Sequence, residues 1–431
     1  MVNEKTSTKI KPIGSCRVCK NTDLFEVLSL GNHFVSNFVD SGEEAGIKVP
    51  LELVLCSFKD CSLLQLRHTT PSHMLYRNYW YKSGVNKTMR DALADISNKA
   101  EKLAGVTTGD LVLDIGCNDG TLLRSYKTNG LKLVGFDPAE NLLQFSRVGT
   151  TKIFNDFFNA KSFKQEFPNA HAKVITSIAM FYDLDDPNSF VSDISQCLDK
   201  QGVWVVQMSY LPLMLEQNAF DNICHEHLEY YSLHSLKYLL AQHNLEIFDT
   251  ELNDVNGGSF RVYVKHKNSK NPAFSKVGYE RVKKLEQTEK ELSLDTKKSY
   301  ENFANRVKEL KKKTFNFISS EVKKGKKVYV YGASTKGNTL LQFYNLDNTL
   351  IQFAAERNSD KFGKKTVGTL IPIISEEQAR KDKPDYFLVL PWHFLKEFVQ
   401  READYLKAGG KFIVPLPEYK IIGKEHITEG K

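Results

Sequence analysis

Short apolar runs separated by amphipathic stretches dominate the chain from about residue 85 to residue 250. "DLVLDIGC", "LKLVGFD", "AKVITSIAM" and "GVWVVQMSY" are rich in Val, Ile and Leu and alternate only weakly. Runs of this kind predict strands buried on both faces. Helical patterns fill the intervals, and that alternation predicts a parallel, doubly wound sheet. The pattern then changes. From residue 276 to 324 no strand signal occurs, while Phe303, Val307, Leu310, Phe317 and Ile318 recur near helical spacing among lysines. They predict a long amphipathic helix or a helix pair. Next, "KKVYVYGASTKGNTLLQFY" reads as strand, turn and helix, and "LIQFAAE", "DYFLVLP" and "GKFIVPL" supply further strands. The expected class is therefore α/β. Its expected parts are a turn-rich module at 1–75, a sheet domain at 76–275, a helical linker at 276–324 and a second doubly wound domain at 325–431.

Composition narrows the picture. Of 431 residues, 41% are hydrophobic and 26% charged, which suits packed cores rather than disorder. The net charge of +7 favours an anionic ligand, but no Lys/Arg block is dense enough to argue for nucleic acid. No apolar run reaches the ~18 residues of a membrane span, and the N-terminus lacks the apolar centre of a secretion signal. Seven cysteines, four of them paired locally near the N-terminus, suit a reducing cytoplasmic setting better than a disulfide framework.

Cys16-x2-Cys19 and Cys56-x4-Cys61 form two close pairs of thiols. Four such ligands fit tetrahedral structural zinc, which gives a small module stability its own core cannot supply. The alternatives are free buried cysteines, or His33 or His68 in place of one thiolate. The second chemical motif is "LVLDIGCNDGTLL", which sets Asp114, Gly116, Asn118 and Gly120 at the end of the first long strand. Glycines let the backbone turn tightly and approach a ligand. The next strand ends in Asp137 and Pro138, and an acid there can take hydrogen bonds from ribose hydroxyls.

These residues resemble the class I S-adenosylmethionine (AdoMet)-dependent methyltransferases. The resemblance implies that Gly116 and Gly120 pass the amino-acid part of AdoMet, with Asp114 and Asn118 beside it. Asp137 would hold the ribose, and Asp156 and Phe157 of "NDFFN" would sit near the adenine. The order of parts along the whole chain resembles the C-methyltransferases that act on nucleotide-linked 4-keto-6-deoxy sugars. In them a zinc module is followed by a Tyr-x-Tyr-x-Ser-type element, matched here by "YWYKSGVNKTM" from Tyr79 to Met89, which makes Tyr79 and Tyr81 candidates for catalysis and Tyr81 and Lys82 candidates for substrate contact. A class I methyltransferase sheet and a Rossmann-like substrate-binding domain complete the family arrangement. The implied partner is a nucleotide-sugar small molecule, with no nucleic acid or membrane, bound by a monomer or homodimer.

"NICHEHLEYYS", Asn222 to Ser232, carries the expected chemistry. Carbon beside a ketone is acidic only if a base takes the proton while donors stabilise the enolate oxygen. The resemblance makes His227 the base, with Glu226 and His225 its neighbours. The family tyrosine before the first histidine is Cys224 here, and Ala179 and Asp183 stand where Asn and His are expected. Tyr79, Tyr81 or His225 is left to support the enolate. A metal site at His225, His227 and Glu226, a merely structural segment, and methylation of an oxygen acceptor are the alternatives. In the last domain Gly332, Ser334 and Lys336 form a turn suited to phosphate. Arg261 of "NGGSFRVYV" and Trp392 and His393 of "PWHF" are further substrate candidates.

Overall fold

The computed structural model describes residues 10–40, 46–77, 79–271 and 276–430. Its centre is a seven-stranded sheet in the order Leu245–Asn253, Ser259–His266, Leu198–Ser209, Ala172–Ile178, Leu111–Ile115, Lys132–Phe136, Lys152–Phe154. The last five strands of that order run parallel, and the first two are antiparallel additions at the edge. Strand order reverses between Leu111–Ile115 and Ala172–Ile178. Ligands of open sheets collect at such a reversal, outside the carboxyl ends of the strands.

A six-stranded sheet repeats the plan near the C-terminus. It runs Ile373–Ser375, Ala354–Glu356, Val328–Tyr331, Tyr386–Val389, Lys411–Val414, Lys420–Ile422, and only the last strand is antiparallel. Its order reverses beside Val328–Tyr331, so the turn Gly332–Lys336 opens at a second switch point.

The N-terminal module is less separate than its sequence suggests. Its antiparallel sheet runs Leu24–Phe34, Lys48–Cys56, Leu64–Leu66 and then Glu229–Tyr230. That fourth strand comes from "NICHEHLEYYS", pairing Glu229 with Gln65 and Tyr230 with Leu64. Phe38–Val39 pairs with Lys365–Thr366 of the C-terminal domain in a separate two-stranded sheet. The region expected to link domains is two helices: Lys276–Leu292 packs on the edge strand Leu245–Asn253, and Lys297–Lys323 packs on Leu24–Phe34. Phe303, Val307, Leu310 and Ile318 are buried as the period predicts, in one apolar cluster with Leu51, Leu53, Phe220, Tyr331 and Leu388. That cluster joins the N-terminal sheet, the segment before the histidines and the C-terminal sheet. Among the described residues no helix is long and apolar enough to cross a membrane.

Candidate active site and metal centre

The two cysteine pairs meet. The ligand atoms of Cys16, Cys19, Cys56 and Cys61 all lie within 4.8 Å of one another. Cys16 Sγ is 3.8 Å from Cys61 Sγ, and Cys19 Sγ is 3.4 Å from Cys56 Sγ. Two tight turns make this possible: Lys20 N–H donates to the Cys16 carbonyl, and Cys61 and Ser62 N–H both donate to Phe58. The four-residue spacing of the second pair is therefore one closed turn. Four soft donors at mutual contact fit zinc and leave no open position. Neither His33 nor His68 belongs to the cluster among the described residues.

Arg17, between the first two cysteines, ties the cluster inward. Its guanidinium donates to the Leu66 carbonyl at 2.6 Å and to Thr69 Oγ1 at 2.8 Å. It also lies 3.6 Å from Glu229, whose buried carboxylate oxygens have no hydrogen bond from the described residues.

At the switch point of the large sheet, Gly116 (φ 72°) and Asn118 (φ 51°) take the left-handed backbone. A Cβ at Gly116 would sit 3.0 Å from the Met180 side chain, and the positive φ strains any residue but glycine there. Asp137 braces this turn: its carboxylate accepts Asn118 N–H at 2.7 Å and Ala139 N–H at 2.9 Å. Each oxygen keeps a lone pair for a hydroxyl. Asp114 accepts the Thr176 hydroxyl at 2.6 Å, and burial pushes its carboxyl up to about 7. Asp114, Gly116, Asn118, Asp137, Pro138, Asp156 and Phe157 line one cavity of about 1150 Å³. Asp156 and Phe157 stand at its exposed rim, both against Arg77. Gly120 differs from expectation. It is not on the cavity wall but packs against Ser146 and Arg124, and serves the turn. Asp137→Asn would place an NH2 group against a backbone N–H. AdoMet affinity, measured by calorimetry, should then fall about tenfold or more; unchanged affinity would remove Asp137 from the cofactor site.

The "YWYKSG" element folds over this turn. Asn118 donates to the Tyr81 carbonyl at 3.0 Å and accepts Ser83 N–H at 2.9 Å, while Asp119 accepts Gly84 N–H at 2.7 Å. Tyr79 enters the cavity, and burial, with Asp183 and Glu226 nearby, raises its phenol far above the usual range. It stays a protonated donor. Tyr81 lies on the same wall but is 45% exposed. Lys82 points elsewhere, to Asp360 at 3.5 Å and the Phe145 ring, so its expected substrate contact is not seen.

The same cavity reaches the histidines. Nδ1 of His227 lies 2.9 Å from the Asn222 carbonyl. That acceptor fixes the proton on Nδ1 and leaves Nε2 with a free lone pair. The ring meets Tyr182 edge-on at 4.3 Å, and burial, helped by Lys336, lowers its pKa to about 3. His227 is thus held neutral and proton-accepting. His225 is different. Its Nε2 faces the Val49 carbonyl at 3.1 Å and Nδ1 has no partner among the described residues. Its one N–H is spent on the N-terminal module, so it cannot support an enolate as expected. Burial raises the Cys224 thiol and the Glu226 carboxyl, so both stay protonated. Ala179, at the expected Asn position, has φ 54°, a conformation Asn adopts more readily.

The C-terminal domain closes the cavity. Gly332, Ser334, Lys336 and His393 all line it. A Cβ on Gly332 (φ 83°) would meet Pro391 at 2.6 Å. Ser334 caps the helix Thr335–Tyr344 by accepting Gly337 N–H at 3.0 Å. Lys336 Nζ reaches across to Asn222 Oδ1 at 2.6 Å. His393 rests on Phe394, its pKa lowered by burial to about 3. Two expected contacts fail. Arg261 is buried on its strand, bonded to Asp95 and Gln207 at 2.8 Å each, away from the cavity wall. The Trp392 indole is buried off the cavity wall, with its N–H donating to Asp221 at 3.1 Å, so it is not free to stack on a base. Tyr76, Tyr182, Asp221 and Asn222 line or orient the site without having been singled out individually. Tyr76, just ahead of "YWYKSG", donates to the Glu226 carbonyl at 3.1 Å.

Comparison with known proteins covers the same parts. A model described as a zinc binding domain matches residues 16–76, a methyltransferase domain matches 81–250, and a C-methyltransferase C-terminal domain matches 254–417. The chain is 31% identical over 424 residues to the C-methyltransferase NovU of Streptomyces niveus, covering 96% of this chain and 98% of that protein. It is 33% identical over 113 residues to a ubiquinone biosynthesis O-methyltransferase of Leptothrix cholodnii, covering 25% of this chain and 47% of that one. The PH0226 protein of Pyrococcus horikoshii superposes with a TM-score of 0.35 at 14% identity, covering 43% of this chain and 95% of its own.

Proposed function

Because the chain belongs to the C-methyltransferases, we propose that its acceptor is the carbon beside the ketone of a nucleotide-linked keto-deoxy sugar, with His227 as the base. The enzyme is AdoMet-dependent and acts on carbon, so the oxygen-acceptor alternative falls away. Bound AdoMet supplies an electrophilic methyl group. Gly116, Asn118 and Asp137 would hold it, with Asp156 and Phe157 at the rim, while the four cysteines hold structural zinc.

One observation carries the reading. His227 is fixed by the Asn222 carbonyl with Nε2 left open, in a cavity that also holds the AdoMet turn and the Tyr79 phenol. A base must be neutral to accept a proton, and burial keeps it so. Tyr79, half-buried and kept protonated, can donate to oxygen as negative charge develops. The volume of about 1150 Å³ exceeds the roughly 300–1,000 Å³ typical of a one-ligand pocket. At its C-terminal end, Glu356 closes the second strand as Asp137 does in the large sheet. It accepts Arg357 and Asn358 N–H at 2.7 and 3.0 Å. Glu356 suits a ribose, and Arg357, exposed on the wall, suits a diphosphate.

The test is solvent exchange. In D2O without AdoMet, the enzyme should wash deuterium into the carbon beside the ketone of a nucleoside-diphosphate 4-keto-6-deoxyhexose. With AdoMet, that carbon should be methylated. Absence of both with thymidine- and guanosine-linked keto sugars, alongside methylation of a ketone lacking a nucleotide, would overturn the substrate class.

A further inference from the structure

The Tyr79 and Tyr182 phenols, kept protonated by burial, are neutral donors on the wall around His227, but positive charge is scarce there. The His225 N–H is spent on Val49, and the Cys224 thiol, kept protonated by burial, is only a weak donor. The acids there offer no positive charge: Asp183 Oδ1, Asp221 Oδ1 and Glu226 Oε2 are buried without hydrogen-bond partners among the described residues. Lys336 is the exception. It sits in the first turn of the helix Thr335–Tyr344, on the C-terminal domain, yet its ammonium lies on Asn222 Oδ1 at 2.6 Å. The backbone carbonyl of the same Asn222 holds His227 Nδ1 at 2.9 Å. One residue therefore sets both the base and the cation.

We propose that Lys336 is a catalytic residue that holds the substrate ketone oxygen and takes up the enolate charge formed as His227 removes the neighbouring proton. The assignment rests on the carbon-acid reading above. An ammonium has three N–H donors, and one is spent on Asn222, so two remain for an oxygen. In the step, the C–H bond breaks and its proton passes to Nε2 of His227. The electron pair delocalises onto the ketone oxygen, facing Lys336 and the Tyr79 phenol. Lys336 keeps its own proton throughout. Its charge is already felt at His227, as a contribution to the lowered pKa second to burial.

This differs from the phosphate role that its turn suggested. A phosphate-binding lysine would act on substrate affinity, whereas Lys336 acts on the carbon acid. It also makes the site depend on domain docking. Trp392 to Asp221 at 3.1 Å and Asn218 to the Pro417 carbonyl at 3.0 Å fasten the C-terminal domain to the segment carrying Asn222. Without that docking the base would stand without its cation.

The experiment compares the full-length enzyme with Lys336→Met and Lys336→Gln; the glutamine keeps a neutral donor for Asn222. Deuterium exchange is measured at saturating thymidine-diphosphate 4-keto-6-deoxyhexose without AdoMet. Affinities for thymidine diphosphate and AdoMet are measured by calorimetry, the latter as a check on folding. Exchange at saturation should fall about 100-fold or more in both variants, with both affinities within about twofold of wild type. Wild-type exchange at saturation, with KM raised and thymidine diphosphate affinity lost, would overturn the assignment and make Lys336 a phosphate ligand. A wild-type enzyme that exchanges nothing would sink the carbon-acid reading itself, and Lys336 with it.

Discussion

His227→Gln is expected to slow both deuterium exchange and methyl transfer by about a thousandfold or more, at the upper end of what a positioned base contributes. Glutamine nearly preserves the volume, and its amide can still donate to the Asn222 carbonyl that now holds Nδ1. What it lacks is a basic lone pair where Nε2 opens on the cavity. AdoMet affinity should therefore stay within about twofold, since the glycine turn and Asp137 belong to the other end of the site. The pH dependence adds a second reading. Burial lowers the His227 pKa to about 3, with Lys336 adding to the shift. The neutral, active form therefore dominates above that value, and the exchange rate should stay flat from about pH 5 to pH 7. An unperturbed histidine would instead lose activity below its pKa of about 6.5. Exchange that survives in His227→Gln would place the base elsewhere. Loss of AdoMet binding would make His227 a structural residue.

What the sequence shows and what it hides follow from one distinction. Features built by neighbours in the chain were legible. The turn at Gly116 needs its glycine within five residues of the strand, and Asp137 follows from the end of the next strand. Each cysteine pair closes its own turn, and the period of Phe303, Val307 and Leu310 marks a buried helical face. Features set by distant partners were not. Arg261 looked like a free cation beside a glycine turn, but Asp95, far away in sequence, neutralises it. Trp392 looked like a stacking platform, and Asp221 binds its N–H. His225 and His227 look alike in the sequence. Only the fold gives one to Val49 and leaves the other open. Lys336 was legible as a turn lysine, while its reach to Asn222 depends on how two domains dock. The pairing of Glu229–Tyr230 with the N-terminal sheet has no local signal at all.

That pairing gives the zinc site a second expected effect. Cys16→Ser should release about one equivalent of zinc and destabilise the protein by several kcal/mol, seen as a loss of on the order of 10 °C in Tm. The damage should also reach the chemistry. Arg17 lies inside the first cysteine pair and holds the Leu66 carbonyl, and it is the cation nearest the buried Glu229. Burial pushes the Glu229 carboxyl well above its usual range despite Arg17, and a buried carboxyl that loses its polar neighbour costs about 1–3 kcal/mol. Glu229 is two residues from His227, on the strand that completes the zinc-module sheet. Loosening the cysteine turns should therefore release the strand and let the imidazole drift from the Asn222 carbonyl. AdoMet binds at the far end of the cavity, against the large sheet, and should be affected less. Metal analysis, thermal unfolding, AdoMet calorimetry and solvent exchange, measured together on Cys16→Ser, separate these effects. Zinc loss with exchange falling further than AdoMet affinity fits a metal that braces the base. Zinc loss with wild-type exchange would show that the metal supports the N-terminal module alone.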